Sequence, residues 1–356
     1  MLPYYILVLT PVIIYILGLI KGKKLNKISI SVFFIILIVL LSLRSVECGI
    51  DLKMYQYFFK VFAVTPFERV SSLSEKGEIL YYLLNKGIYL IGGNFQFFIF
   101  VVALLSIVPI AILYYKKSDN GLLTIALFLV VAPFTMFFSG LRQSIAMGII
   151  IFSFKYIQEK KLLKYIICVV IAMYFHKSAT FCFFLYPIYH AKLTKKSLYF
   201  IIPLMILVYI FKDKIFMILL KMYNPIYSEK YGDITSTGQY GILVLLVLFD
   251  IYCFVFPDKN IIDNEFMGLR NYLILSTFCQ LFVPINNVVM RMNYYLLLFI
   301  PILIPKVRIL GYEKNKELLK LSEIIIIVFF LTHFIYNGYM GEDILRIFPY
   351  IPFWNS

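Results

Sequence analysis

Arg142 and Gln143 follow a tight Ser139-Gly140 corner, Arg44 closes one apolar run, and Arg291 opens another behind Pro284-Ile285-Asn286-Asn287. Arginine presents a planar fork of donors that matches phosphate and carboxylate oxygens. Three such residues at the ends of apolar runs predict an anionic ligand, for which a lipid-linked pyrophosphate is one fit. Between them in the chain stands the corner Phe175-His176-Lys177-Ser178. A histidine can take a proton from a hydroxyl near neutral pH. Glu47 and Asp51 follow Arg44. Tyr55, Tyr294 and Tyr295 accompany the arginines and can stack on sugar rings.

Each residue also has a plainer reading. An arginine at a helix end commonly snorkels to the interface, which suits Arg69 and Arg346. His176 alone fits a hydrogen-bonded helix end; the Lys177 neighbour argues for more. His190 and His333 have no charged neighbour at helical spacing and read as structural. Asp250 lies within an apolar run and is an intramembrane candidate, but no second charge in that run pairs with it.

What must position these groups is a set of membrane helices. Of 356 residues, 62% are hydrophobic and 15% charged, with mean hydropathy +0.88; a soluble domain is about half apolar and about a quarter charged. The runs predict an all-α polytopic membrane protein of about twelve spans, near 3–20, 28–43, 95–115, 121–138, 140–157, 162–175, 178–190, 197–211, 240–256, 267–283, 292–306 and 321–337. The spans 162–175 and 178–190 reach only about 20 Å each, against about 30 Å of hydrocarbon. Their basic ends, Lys160–Lys164 and Lys192–Lys196, belong at the inner interface. The His176 corner therefore stops short of the outer surface. There it needs water or polar partners, which an externally open cavity supplies.

The charge pattern sets the orientation. With both termini external, the short cytoplasmic loops hold 20 of the 34 Lys and Arg residues, as the positive-inside rule expects. Five of the seven arginines (Arg44, Arg69, Arg142, Arg291, Arg346) nevertheless fall on the external side. Leu2–Ile20 has no basic residue before it and four lysines after it, so it reads as a span and not a signal peptide. Gly77–Gly93 carries Lys86 and reads as interfacial; residues 213–222 read as a helix on the outer surface. One membrane-embedded domain over 1–356 is expected, with external segments at about 44–94, 212–239 and 338–356. Four of the five cysteines sit in apolar runs and no CxxC occurs, so neither metal nor cofactor is expected. No Walker loop, GxGxxG or GxSxG is present, and nothing suggests nucleic acid.

At these residues the sequence resembles the EpsG/Wzy-like family of bacterial polysaccharide polymerases. The matching pieces are LSLRSVECGIDLKMYQYF near 42–58, EILYYLLNKGIYLIGGNFQFF at 78–98, GLRQSIAMGI at 140–149, MYFHKSATF at 173–181 and RMNYYLLLFIPILIP at 291–305. They follow one another along nearly the whole chain. The resemblance implies a GT-C-like or Wzy-like architecture and a transferase of the cytoplasmic membrane of bacteria. Such an enzyme joins undecaprenyl-diphosphate-linked oligosaccharide repeat units at the outer face, without nucleotide sugar or metal, with a flippase and a chain-length regulator as partners. Carried over by position, Arg44, Arg142 and Arg291 hold pyrophosphate, and His176 and Asp51 serve acid/base roles. Ser45-Val46-Glu47-Cys48 departs from the family's more polar run and keeps Glu47 as a rival base.

Two other functions use similar residues. A flippase for lipid-linked sugars also needs an arginine-lined cavity, but open to both faces and commonly built from inverted repeats; no internal repeat is evident. A ligase-type transferase shares the donor and differs in acceptor. The topology is testable first. In a cysteine-free background, a cysteine at position 195 should resist an impermeant thiol reagent on intact cells. Labelling there from outside would reverse the assignment.

Overall fold

Lipid offers the backbone no hydrogen-bond partner, so each apolar run must satisfy its own amides as a helix. The computed structural model describes residues 1–22, 25–69, 78–223, 240–286, 288–340 and 345–355. Among them the regular structure is helical, and the only β-type pairings are two isolated bridges. Four helices among the described residues are long and apolar enough to cross a membrane: Leu2–Ile20, Asn26–Leu43, Phe95–Lys117 and Glu313–Met340. A bent pair, Val288–Leu297 with Ile300–Ile309, makes a fifth if taken as one span. The protein is thus a polytopic helical membrane protein.

The chain divides into two units, 1–183 with 320–356, and 184–319. Unit 1 begins with α1 (Leu2–Ile20), α2 (Asn26–Leu43), α3 (Leu52–Val64), α4 (Ile79–Leu90), α5 (Phe95–Lys117), α6 (Gly121–Val130), α7 (Leu141–Gln158) and α8 (Leu162–Phe175). Unit 2 contains α9 (Leu185–His190), α10 (Leu198–Tyr223), α11 (Tyr240–Val255), α12 (Asn264–Gln280), α13 (Val288–Leu297) and α14 (Ile300–Ile309). Most of α15 (Lys316–Met340) and the C-terminal segment belong to unit 1.

Several expected elements take a different form. Residues 178–190 are a 3-10 helix, Lys177–Phe184, followed by the short α9. The run 121–138 is α6, a break at Val131–Thr135 and one turn at Met136–Ser139; the break includes Pro133, which cannot donate to a helix. Residues 213–222 form no separate surface helix, because α10 runs unbroken through Asp213. The run 292–306 is split between α13 and α14, bent by 41°, with Pro301 in the first turn of α14, where a missing amide is tolerated.

Unit 1 collects its ends in two places. At one, Met1 lies against Gly338 of α15, and the Tyr4 hydroxyl donates to the Ile347 carbonyl at 2.6 Å. The C-terminal segment then straps the loop after α2: Ser45 N–H donates to Ile351 O at 2.8 Å and Ile50 N–H to Leu345 O at 3.0 Å. Ser139 joins both, accepting from Ile50 N–H at 3.1 Å and donating to Leu345 O at 3.4 Å. Gly49 is required here, since its φ of +133° disfavours a side chain and a Cβ would lie 2.4 Å from Phe138 O. At the opposite end, Asn120 caps α6 and donates to Glu323 of α15 at 3.0 Å.

The core of this unit is aromatic and aliphatic. Tyr55, Phe59, Tyr81, Phe95, Phe98, Leu141 and Ile145 form one buried cluster that binds α3, α4, α5 and α7 together. In α7, Gly148 allows the closest helix approach: a Cβ there would stand 2.2 Å from the Leu105 carbonyl of α5. Small residues at such crossings are what hold membrane helices together. Replacing Gly148 by Val should therefore lower stability by about 1–3 kcal/mol, read as a lower unfolding temperature of the purified protein. An unchanged melting curve would show that the crossing is looser than described.

Unit 2 is organised by α12. Asn271 donates to the Ile188 and Ala191 carbonyls at 2.9 and 2.7 Å, Tyr272 to Leu185 O at 3.0 Å, and Arg270 to Leu193 O at 2.7 Å. These side chains bind carbonyls in and after α9 and tie that short helix to α12. Asp250, of α11, accepts from Thr277 at 2.6 Å.

Candidate functional site

Lys86, which made the segment from Gly77 to Gly93 look only half-suited to lipid, is what seats α4. Its ammonium donates to the carbonyls of Ala63 and Thr65, each at 2.8 Å. These groups end α3, where the helix dipole favours a cation. The Tyr82 hydroxyl donates to Thr65 O at 3.1 Å. So anchored, α4 begins at its cap residue, Glu78.

Glu78 is the centre of the site. Its side chain is 6% exposed. Oε2 accepts from Nη1 of Arg142 at 2.5 Å and Oε1 lies 2.8 Å from Nδ1 of His176. The Lys177 N–H also donates to Oε1, at 3.3 Å. Three elements meet through this carboxylate: Arg142 in the first turn of α7, His176 as the C-terminal cap of α8, and Glu78 before α4. A cation in the first turn of a helix opposes its dipole, so Arg142 depends on Glu78 for compensation. Beneath the guanidinium lie the rings of Tyr55 and Tyr81, 5.7 and 5.9 Å from it, a cation–π arrangement. Arg142 and His176 keep 27% and 14% of their side chains exposed, so both cationic members are more open than the carboxylate joining them. Arg142 Nε has no hydrogen-bond partner among the described residues, so Glu78 does not saturate the guanidinium.

The electrostatics are consistent with this arrangement. Burial alone would push the Glu78 carboxyl up, but the hydrogen bond of His176 and the charge of Arg142 outweigh it. The carboxyl is held below the usual carboxylate range. Burial raises the Tyr55 phenol, with Arg142 opposing. Removing one partner of a buried pair costs about 3–5 kcal/mol.

Other residues singled out by sequence fall elsewhere. Arg44 is 1% exposed, not at the rim of a cavity. Its guanidinium donates to the Leu41 and Phe137 carbonyls and lies 5.6 Å from the Phe138 ring. Burial pulls its pKa down to about 10, and no face is open to a ligand. Asp51 stands at the N-terminal cap position of α3 without a side-chain capping hydrogen bond, and the carboxylate bonded to His176 is Glu78. Glu47 pairs with Lys53 at 2.7 Å on the surface. Gln143, 1% exposed, turns into the protein. The Lys177 side chain is exposed. Arg291, Tyr294 and Tyr295 belong to α13 of unit 2: Arg291 is exposed, Tyr294 half-buried and Tyr295 fully buried. Tyr55 and Tyr295 are thus packed inside and offer no ring to a sugar. His190 packs on Tyr186 and Tyr189, and His333 stacks on Phe329 and bonds Asn337. Asn287 lies outside the described residues.

No role for Glu78 follows from the sequence alone, although it opens the 78–98 segment. The available signal was a lone acid at the start of an apolar helix, on the same side of the expected membrane as His176 and Arg142. Among the described residues no group of His, Cys, Asp and Glu has the geometry of a metal site.

Membrane helices with an acid, an arginine and a histidine gathered at one end define a polytopic membrane protein with a polar site built from helix ends. The model described as the EpsG family matches residues 27–351, nearly the whole chain, and the protein belongs to that family. Neither the comparison with curated proteins nor that with solved structures gives a match.

A titration tests the cluster. Because the folded carboxyl is lowered, its stabilisation is present above the unfolded-state pKa and is lost as pH falls through the folded value. The melting-temperature advantage of wild type over Glu78→Gln should be present at about pH 5 and above and shrink as the pH falls below that. An advantage that does not change with acidification would show that Glu78 is uncharged or unpaired.

Proposed function

We propose that this protein is a polysaccharide polymerase of the bacterial cytoplasmic membrane. In this reading it has about twelve spans and external termini. It joins undecaprenyl-diphosphate-linked oligosaccharide repeat units at the external face. The observation that carries the reading is the Glu78–Arg142–His176 cluster, taken together with EpsG family membership. The C-terminal strap and the Ser139-Gly140-Leu141 turn lead into the same part of unit 1.

The chemistry follows from the groups present. A hydroxyl oxygen of the acceptor repeat unit bonds to the anomeric carbon of the donor glycan. The bond from that carbon to the diphosphate oxygen breaks, and its electron pair leaves with undecaprenyl diphosphate. The hydroxyl proton passes to His176. Arg142 meets the negative charge that develops on the departing diphosphate, where a prearranged donor counts most. Arg291, exposed on α13, is proposed as a second arginine for anionic headgroups, and Lys177 as a flexible cation beside the base. The leaving group is already a good one, so a general acid is not needed. A flippase that supplies substrate and a chain-length regulator that limits the product are proposed as partners, as the family resemblance implies.

One observation favours a second reading. The bent pair α13 and α14 is the kind of interrupted helix that transporters use at their binding sites. A transporter of lipid-linked sugars would move the repeat unit unchanged, and a ligase-type transferase would pass it to a different acceptor.

Cells carrying Arg142→Ala or Arg291→Ala should make short chains on a polysaccharide gel. Arg142→Lys should not restore length, because a point charge cannot reproduce the bidentate fork. His176→Ala should leave mostly single repeat units, corresponding to a rate loss of about 10²–10⁴. Normal long chains from all three alanine variants would overturn the assignment of these residues. Purified protein given synthetic lipid-linked repeat units should extend them without nucleotide sugar; units returned unchanged would favour transport.

A further inference from the structure

We infer that Glu78 is a positioning residue that fixes the tautomer of His176, so that Nε2 and not Nδ1 is the atom that receives the proton. This rests on the reading of His176 as the proton acceptor and adds which atom acts and what selects it.

An ionised carboxylate can only accept hydrogen bonds. Glu78 is ionised in this setting, since Arg142 donates to one of its oxygens at 2.5 Å and the Lys177 amide donates to the other. The 2.8 Å contact between Oε1 and His176 Nδ1 therefore requires the proton to be on Nδ1. In the neutral imidazole, Nε2 then keeps its lone pair. The ring has little freedom to exchange the two nitrogens. Its residue ends α8, its own N–H donates to Ala172 O at 2.9 Å, and its side chain is 14% exposed. The charged groups that bind Glu78 are consistent with this polarity. Arg142 from α7 and the Lys177 amide bind the carboxylate, and Tyr55 of α3 and Tyr81 of α4 lie under the guanidinium.

The arrangement gives Glu78 two tasks. One oxygen sets the orientation of the base, and the other sets the position of the anion-binding arginine. Base and arginine are thereby held at a fixed relation through a single rigid carboxylate, which is how an orienting acid acts on a catalytic histidine. During transfer, the acceptor proton moves to Nε2 as the new C–O bond forms and the bond to diphosphate breaks. The imidazolium that results is stabilised by the charge of Glu78.

The tautomer can be observed directly. The protein has three histidines, so full-length protein labelled with ¹⁵N-histidine in lipid bilayers gives few signals, and His176→Asn identifies the one of interest. At pH 8.5 wild type should show His176 protonated at Nδ1 with an unprotonated Nε2. Glu78→Ala should abolish that preference, and the isosteric Glu78→Gln, whose amide can donate or accept, should give a mixture. Glu78→Asp should restore the Nδ1–H form in part. In turnover, Glu78→Ala should lower kcat by about 10²-fold. A wild-type His176 protonated at Nε2, or a spectrum that neither Glu78→Ala nor Glu78→Gln alters, would overturn the proposal. The spectrum needs no turnover. A protein that fails to polymerise but shows the Nδ1–H form refutes only the polymerase reading, whereas one that polymerises with the Nε2–H form refutes only the role of Glu78.

Discussion

A carboxylate removed from water must be matched by positive charge and hydrogen-bond donors, or it will not stay ionised. Glu78 meets that requirement with three partners from two other chain segments, and unit 1 is arranged so that it can. Without the carboxylate, the Arg142 guanidinium would sit at a helix N-terminus without the anion that compensates it. His176 would lose the acceptor that orients its ring. The interaction is also what makes three otherwise ordinary helix ends into one site.

Much of the surrounding structure can be understood as fixing the positions of those ends. Lys86 and Tyr82 tie α4 to the end of α3, which sets where Glu78 lies. Gly148 lets α7 close against α5, and the buried cluster around Tyr55, Phe98 and Leu141 sets the height of Arg142. Ser139, three residues before Arg142, is held by the loop after α2 and by the C-terminal strap. Arg44 belongs to this scaffold. Its guanidinium satisfies carbonyls at the end of α2 and beside Phe138, where an unpaired carbonyl would be costly. The strap therefore links both termini of the chain to the turn that presents Arg142.

The membrane character of the fold was legible from hydropathy, and so was the shared placement of Arg142 and His176 at helix ends, from the Ser139-Gly140 corner and the short run 162–175. Finer features were not, for physical reasons. Hydropathy reports burial in an apolar medium and is blind to breaks, so α13 and α14 read as one run and the 3-10 segment Lys177–Phe184 as part of an α-helix. Nor can charge type distinguish an arginine that waits for a ligand from one that saturates carbonyls; Arg44 and Arg142 look alike in sequence and are buried to very different degrees. Glu78 was missed because its partners are 64 and 98 residues away, a pairing that no local pattern encodes. Asp51 and Glu47 drew attention by lying near Arg44, yet the acid that meets the histidine comes from the next helix.

If one carboxylate aligns the base and the arginine, the three residues act as a unit, and units fail together. Rates of lipid-linked repeat-unit extension by purified protein should be measured for Glu78→Ala, Arg142→Ala and His176→Ala, singly and in every combination. The account predicts strong non-additivity, with the triple variant little slower than His176→Ala alone. Losses that simply multiply from single to double to triple variant would contradict it, because they would show three residues acting independently.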